Sequence, residues 1–464
     1  MDASVEPSRH TLAPDCVPPE RRLWAAAAVF AALAMASLDT AIANIALPAI
    51  AADLKTSPAD VVWVVNVYQI GLVTTLLPLG ALGEIVGHKR IYLGGLILFT
   101  IASLVCACAW SLPSLLVGRA LQGLGAGGIM SVNTALVRFI YPPHQMGRGY
   151  GHNALVVATA FTLGPTIASG ILSLGSWPWL FAINIPFGIL AALIGFKTLP
   201  QTPRATHAFD FPGALLAAGC IGLFVLGIGS AAHGTSPMLV LIEIGAAAVI
   251  AWALTRRQAD HPAPILPVDL FRKPMFALST GTAICSFAVQ GLAFVSLPFY
   301  FEDVLHRSQV ETGFFITPWP LVVAVMAPIA GRLSDRHHAG GLGGIGLTML
   351  AVGMALLAAL PNDPSIPNIL WRIALCGIGF GFFQAPNMKA IMISAPAGRA
   401  GSASSVVATA RLIGQTTGAA LAALCFSIAG HDGATLALAL GAGFAALGSA
   451  MSFLRLIAAP SEAI

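Results

Sequence analysis

Two ionisable residues lie inside long apolar segments of this 464-residue chain: Asp39 in "AMASLDTAIANIALP" and Arg119 in "LVGRALQGLGAGG". A charge in such a segment is costly, and where it occurs it faces the protein interior or a water-filled path. Burial raises the pKa of a carboxyl group and a nearby cation lowers it, so a carboxyl group balanced between them can bind and release a proton. We therefore predict proton exchange at Asp39, tuned by Arg119. The alternative is a fixed ion pair that holds two helices in register.

A second group of residues has the character of a cavity for an amphipathic compound. Aromatic side chains offer apolar contact and attract cations, and polar groups fix the orientation of a bound molecule. Aromatic residues at helical spacing are also typical of a packed core. For Arg411, the alternative to lining a cavity is packing against a cytoplasmic loop. The candidates are Thr40, Asn44, Gln122, Phe161, Trp319, Phe380, Phe383, Gln384 and Arg411.

Composition indicates that membrane helices carry these residues. Hydrophobic residues make up 57% of the chain and charged residues only 9%, whereas about a quarter of a soluble protein is charged. The net charge of +4 is spread along the chain and gives no basis for nucleic-acid binding. A membrane helix needs about 20 mostly apolar residues. About fourteen such runs occur, at 23–47, 61–83, 90–110, 113–136, 152–173, 178–197, 212–231, 237–255, 275–299, 312–332, 342–361, 368–391, 402–428 and 434–457.

The lysines and arginines test this count independently. With a cytoplasmic N-terminus and fourteen crossings, 18 of the 23 lysines and arginines lie on the cytoplasmic side. Lys55 and Arg307 lie outside, and Arg119, Arg372 and Arg411 lie within spans. This asymmetry is the positive-inside pattern. It predicts a multi-pass plasma-membrane protein with both termini in the cytoplasm, and the compact loops indicate a bacterial inner membrane.

Internal repeats predict two related halves. "VVATAFTLGPT" at 156–166 resembles "VVATARLIGQT" at 406–416, and "GALGE" at 80–84 resembles "GRLSD" at 331–335. Arg119 has a counterpart in Arg372. Each half then has about six helices, and such paired halves place the substrate path at their interface. The predicted division is a tail at 1–22, a first half at 23–197, a two-helix insertion at 198–274, a second half at 275–457 and a tail at 458–464.

The sequence lacks the signatures of several other functional classes. The seven cysteines include no pair of CxxC motifs, so neither a disulfide framework nor a metal site is predicted. Neither HExxH nor GxSxG occurs, so we predict no catalytic residues, no cofactor and no enzyme activity. A membrane sensor or assembly protein that transports nothing is the alternative from another class, and it would leave Asp39 without a proton to exchange.

Four segments together resemble the major facilitator superfamily, and specifically its fourteen-helix drug:proton antiporter family. They are "LDTAIANIALP" in the first span, "GALGEIVGHKR" between the second and third, "RALQGLGAGG" in the fourth and "TLGPTIASG" in the fifth. The resemblance covers nearly all of the chain from about residue 23. It implies gating and antiporter roles for Gly80, Glu84, Gly87, Lys89, Arg90, Gly164, Pro165, Gly331, Asp335 and Arg336.

This resemblance implies both a fold and an activity. The fold is an all-α major facilitator fold, with two six-helix halves and two extra central helices. The activity is proton-coupled efflux of amphipathic, cationic or neutral drugs, in which the halves rock and Arg119 takes part in proton coupling. The implied partners are protons, a small-molecule substrate and the lipid bilayer, and the protein is expected to act as a monomer. A proton-coupled transporter of one specific metabolite is the alternative.

The sequence departs from the family pattern at several places, among them Ile85 and His88 where the family loop has basic residues, and Ala160, Ala168 and Ser169 where the antiporter motif has glycines. Glu84 stands where the family loop has an aspartate. The tenth span, "TGFFITPWPLVVAVMAPIAG", has no interior acid of the kind carried by relatives that export divalent organic cations.

Overall fold

The computed structural model describes residues 17–56, 58–61, 63–232, 236–258, 268–307, 309–361 and 363–458. All regular secondary structure within these ranges is helical. Each of the fourteen apolar runs falls on a long helix, and short helices, Trp179–Ala182 and Gln309–Ile316, precede two of them. The long helices are α1 (Pro19–Asp53), α2 (Trp63–Val86), α3 (His88–Ala107), α4 (Leu112–Ile140), α5 (Met146–Leu174), α6 (Asn184–Thr198), α7 (Phe211–Ala232), α8 (Pro237–Gln258), α9 (Pro274–Phe299), α10 (Pro318–Leu333), α11 (Ala339–Ala358), α12 (Ile366–Ser394), α13 (Ala400–Ala429) and α14 (Gly433–Ala458).

Eleven helices in the described part of the chain are long and apolar enough to cross a membrane. The three other long helices, α5, α7 and α13, each include side chains outside the described residues, and the described part of α7 contributes an apolar stretch, Phe211–Gly227. An all-helical membrane architecture is therefore confirmed, whereas fourteen crossings stay a prediction.

Local sequence signals set two helix boundaries close to the functional residues. The Ser111 hydroxyl accepts a hydrogen bond from the backbone N–H of Ser114, and the Ser114 hydroxyl accepts one from the N–H of Ser111. This reciprocal cap fixes the start of α4, which carries Arg119. Between α2 and α3, Gly87 has a φ of 98°, a backbone conformation that residues other than glycine rarely adopt.

Helices α1–α6 and α9–α14 form two bundles, and α7 packs against both, through α2 of the first and α13 of the second. Helix α8 packs against α7. Asp210 ties this pair together, because it accepts hydrogen bonds from Arg257 Nη2 at 3.0 Å and Gln258 Nε2 at 2.6 Å, at the end of α8. It also caps α7 by accepting the N–H of Gly213 at 3.1 Å.

The two halves are joined at one end of the bundle. The hydrophobic core around Leu76 and Ile140 in the first half continues into Met392 and Ala400 of the second. Ile140, Met392 and Ala400 lie beside the turns α4–α5 and α12–α13. The turns α2–α3 and α10–α11 lie on the same side, as their contacts with the starts of α13 and α5 show, and α1 begins there too. We call this side the charged end. A separate core fills the second half.

Candidate functional site

The two charges singled out in the sequence form an ion pair inside the first half. Arg119 Nη1 lies 2.5 Å from Asp39 Oδ2, and the two side chains are 0% and 2% exposed. Gln122 Nε2 donates to Asp39 Oδ1 at 2.9 Å, and Asn184 Nδ2 donates to the same oxygen at 3.3 Å. Both carboxylate oxygens therefore have donors, as a buried carboxylate requires.

Arg119 is held on several sides. Its Nε donates to the carbonyl of Val64 at 2.9 Å, and Nη1 also donates to Gln122 Oε1 at 2.7 Å. The guanidinium lies over two aromatic rings, 4.2 Å from the centroid of Tyr68 and 5.5 Å from that of Phe181. Its Nη2 is buried and has no hydrogen-bond partner within the described chain. The pair therefore keeps one unsatisfied donor in this arrangement.

Tyr68 lies between this ion pair and a large cavity. Its ring contacts Arg119, its hydroxyl donates to the carbonyl of Ala36 at 3.3 Å, and its side chain also lines the cavity. Asp39 and Arg119 are not among the lining residues. The ion pair and the cavity are thus neighbours with one tyrosine between them.

The cavity has a volume of about 560 Å³ and lies between the two halves. It extends from the middle of α1, α5 and α13 away from the charged end, towards the start of α2 and the end of α9. Its size suits a drug-sized compound. Arg411 is the one charged side chain among its described lining residues. Six aromatic side chains line it: Tyr68, Phe161, Phe287, Phe294, Trp319 and Phe380.

A smaller cavity of about 50 Å³ lies on the charged-end side of the first. Its lining is more polar and includes Asn133, Asn153 and Asn387. Gln384 and Arg411 line both cavities, so these two side chains lie where the cavities meet.

Most of the predicted cavity residues lie at the large cavity. Phe383 lines only the smaller cavity, and Gln122 lies in the ion-pair network instead. The side chain of Asn44 lies outside the described residues. The predicted residues that line the large cavity are Thr40, Phe161, Trp319, Phe380, Gln384 and Arg411.

At the charged end, Asp335 of the second half binds the first half. It follows the end of α10, and its carboxylate accepts the backbone N–H groups of Gly147 at 2.9 Å and Arg148 at 3.3 Å, in the first turn of α5. Lys389 of α12 pairs with the same carboxylate at 2.8 Å. A carboxylate at a helix N-terminus is stabilised by the unpaired N–H groups and the helix dipole.

Glu84 makes the mirrored contact from the first half to the second. At the end of α2, its Oε1 accepts the N–H of Ser402 at 2.7 Å in the first turn of α13, and Arg399 Nε lies 3.7 Å from Oε2. Arg138 of α4 adds a contact by donating to the carbonyls of Met392 and Ala395 at 2.8 and 2.9 Å. Each half therefore places a carboxylate at the N-terminus of a helix in the other half.

Two glycines allow this close approach. A Cβ built on Gly80 would overlap the hydroxyl of Ser405, and one built on Gly331 would overlap the carbonyl of Gly147. The contacts of α2 with α13 and of α10 with α5 therefore require both positions to lack a side chain.

The other predicted gating and antiporter residues lie elsewhere. Lys89 Nζ donates to two backbone carbonyls at the end of α6, at 2.8 and 2.9 Å, within the first half. Arg90 and Arg336 are exposed. Gly164 packs against α1 within the first half. The side chain of Pro165 lies outside the described residues.

The second half does not repeat the ion pair. Arg372, the counterpart of Arg119 in the repeat, donates to the carbonyl of Leu356 at the end of α11. No ion pair within the described ranges includes Arg372. The sequence repeat thus preserved an arginine whose surroundings differ between the halves.

Several residues of these sites were missed by the sequence analysis. Tyr68 and Asn184 carry no charge and gave no signal, although Asn184 lies within the predicted sixth span, 178–197. Lys389 could have been found, because it follows Arg138 by the same 251 residues that separate the two gate carboxylates.

Comparisons with known proteins agree with this architecture. Residues 29–419 match the family model described as Major Facilitator Superfamily. The crystal structure of the human organic anion transporter MFSD10 (TETRAN) superimposes with a TM-score of 0.68, covering 94% of this chain and 100% of that chain. Sequence identity in that match is 17%, so the likeness shows the fold alone.

Three curated relatives are similar over most of their length. The uncharacterized transporter YebQ of Escherichia coli is 47% identical over 97% of this chain and 99% of its own. The riboflavin transporter RibZ of Clostridioides difficile is 32% identical over 83% and 84%. The tetracenomycin C resistance and export protein of Streptomyces glaucescens is 30% identical over 85% and 74%.

Proposed function

Because this chain belongs to the major facilitator superfamily, whose members are transporters rather than enzymes, we propose that it exchanges protons for an amphipathic organic compound. The observation that carries this proposal is the buried Asp39–Arg119 pair beside a cavity between two halves. The pair offers a carboxylate that can take a proton, and the cavity offers a site for a small molecule. The contacts at the charged end supply a barrier that can open and close.

Proton binding at Asp39 would remove the charge that balances Arg119. A buried guanidinium without a counter-charge costs several kcal/mol, so the first half must rearrange to give it other partners. Tyr68 contacts the guanidinium and lines the cavity, so a movement of Arg119 alters the wall of the substrate site. Proton binding is thereby coupled to the shape of the cavity.

We assign the charged end to the cytoplasm of a bacterial inner membrane, because 18 of the 23 lysines and arginines lie on that side of fourteen crossings. Both termini are then cytoplasmic. In this orientation Asp335 and Glu84 close the cytoplasmic side, and the cavity extends outward. The structure corresponds to the outward-facing state of an alternating-access cycle, in which one half rocks against the other.

Export is the direction we propose, in line with the relative named for tetracenomycin C resistance and export. The aromatic lining of the cavity suits a range of amphipathic compounds, which supports a multidrug role. A transporter of one metabolite is the second candidate, favoured by the likeness to the riboflavin transporter RibZ. Under an imposed proton gradient, an antiporter accumulates its substrate on the acidic side and a symporter on the alkaline side.

The test uses the purified protein in proteoliposomes with an acidic interior and a panel of amphipathic aromatic compounds. We expect a substrate to discharge the proton gradient with the wild type and not with Asp39→Asn. Asp53→Asn is the matched control, because Asp53 is exposed near the far end of the same helix. Asp39→Glu keeps the carboxylate and should retain part of the coupling. Full coupling in Asp39→Asn would refute the role of Asp39.

A further inference from the structure

We propose that the compound carried in the large cavity is an aromatic organic anion, and that Arg411 binds its negative group. This inference rests on the proposed function and adds the charge class of the substrate. The family resemblance led to the opposite expectation, of cationic or neutral compounds. The described lining of the cavity contains no carboxylate that could attract a cation.

Among the described residues, Arg411 is a cation without a counter-charge. Its Nη2 donates to Met130 Sδ at 3.2 Å, and a thioether is a weak acceptor. Its Nε is buried and has no partner, and none of the ion pairs found in the described chain includes this residue. A guanidinium presents donors in a planar fork that fits a carboxylate or sulfonate. A bound anion would supply the missing charge.

Other donors line the same cavity. The indole Nε1 of Trp319 is buried without a hydrogen-bond partner among the described residues, and an indole N–H can only donate. Gln384 and Gln415 add amide groups to the wall, and Gln415 Nε2 donates to Gln290 Oε1 at 2.7 Å. A ligand with strong hydrogen-bond acceptors can therefore satisfy more of the polar groups in this wall than a ligand with donors.

The aromatic side chains of the cavity wall indicate that the substrate has an aromatic body as well as a negative group. Ring centroids lie 5.5 Å apart for Phe287 and Phe380, 5.6 Å for Phe294 and Trp319, and 6.4 Å for Trp319 and Phe380. This cluster belongs to the second half, as does Arg411. A flat aromatic ring packs well against such a cluster. The geometry therefore fits a molecule with an aromatic body and an anionic end.

The position of Arg411 suits a transported ligand. Arg411 and Gln384 line both the large cavity and the small cavity on the charged-end side. An anion bound at their junction can keep the same contact while access changes from one side to the other.

The charge of the substrate also determines the electrical signature of exchange. One organic anion moving against one proton transfers two charges in the same electrical sense. One organic cation moving against one proton transfers none. A membrane potential therefore accelerates or slows the first exchange and leaves the second unchanged, because only a net movement of charge responds to the potential.

The experiment compares two probes with the same ring and permanent opposite charges: naphthalene-2-sulfonate and trimethyl(naphthalen-2-yl)ammonium. Their uptake is measured in proteoliposomes with an acidic interior, with and without an interior-positive potassium–valinomycin potential. We expect uptake of the sulfonate, accelerated by the potential. Arg411→Gln should raise its KM roughly 10- to 100-fold, as for the loss of a charge-assisted hydrogen bond. Arg411→Lys should restore part of the affinity.

Arg372→Gln is the matched control, because it removes an arginine that binds backbone carbonyls at the far end of the second half. It should leave the KM of the sulfonate unchanged. Uptake of the ammonium probe in place of the sulfonate would overturn the anion assignment, and so would an unchanged KM in Arg411→Gln. Either result leaves the proposed proton exchange standing.

The same experiment can also refute proton exchange while supporting the anion site. Sulfonate uptake that requires Arg411 but ignores both the proton gradient and Asp39→Asn would refute proton exchange and support the anion site. Uptake of neither probe by the wild type, with or without the proton gradient, would overturn the anion assignment, and the proposed proton exchange would then be judged on the wider panel of compounds. Thermal unfolding of each variant in detergent checks that the loss of transport is not a loss of fold.

Discussion

Asp335→Asn should open the charged end of the transporter. The substitution keeps the size of the side chain and one acceptor oxygen, but it removes the negative charge. That charge pairs with Lys389 at 2.8 Å and accepts two backbone N–H groups at the start of α5. The two N–H contacts exist only while α10 and α5 are together, so their loss destabilises the closed arrangement, whereas the pair with Lys389 lies within the second half and does not depend on this approach.

The size of the effect follows from the burial of Asp335. Its side chain is 13% exposed, so solvent only partly screens its hydrogen bonds to the two N–H groups of α5. A hydrogen bond to a charged group contributes about 1.5–3 kcal/mol. A loss of about 2 kcal/mol changes the ratio of closed to open molecules by about 30-fold. A population that is about 97% closed would become an even mixture.

The assay is a distance measurement across the charged end. Spin labels on cysteines at His144 and His337, both exposed and one in each half, report the separation of the halves by double electron–electron resonance. The exposed native Cys108 is replaced first. Asp335→Asn should move population from the short to the long distance.

Two further variants make this measurement decisive. Glu84→Gln removes the negative charge from the mirrored contact with Ser402 and should shift the distances in the same direction. Asp363→Asn is the control, because Asp363 is 97% exposed and pairs with Arg307 within the second half. Distance distributions identical to the wild type in both gate variants would refute the gate.

Two other outcomes follow from the helices that join the halves. Burial raises the pKa of Asp210, but hydrogen bonds from Arg257 and the N–H of Gly213 outweigh it and hold the pKa below its usual range. Asp210→Ala should therefore lower Tm at pH 7 through a loss of about 1 kcal/mol. This difference should vanish as pH falls from about 4 through the lowered pKa, because the contribution requires the charged form. In whole cells, an impermeant maleimide should label a cysteine at 232 and not one at 205, where Ala205 binds the charged end.

The helices were predictable because apolar runs of membrane length leave the backbone no other way to satisfy its hydrogen bonds. All fourteen runs coincide with long helices. Their crossing of a membrane is a separate matter: among the described residues, eleven helices are long and apolar enough to span it.

The candidate site was predictable where a charge marked it. Asp39 and Arg119 were found because ionisable groups in apolar spans have few acceptable surroundings. Gln122 was assigned to the cavity because spacing alone cannot say whether a helix face points into its own bundle or between bundles. Tyr68 was missed because an aromatic residue in a membrane span is usually part of the packing between helices.

Tyr68 separates the cavity for the transported molecule from the Asp39–Arg119 ion pair. A transported molecule in the cavity is separated by one ring from the carboxylate that would take up the proton. Cargo and proton then never compete for the same atoms, and each influences the other only through the arrangement of the first half. Changes confined to the cavity wall can alter which compound is carried while the energy source stays the same. A family built on this plan can acquire new substrates one side chain at a time.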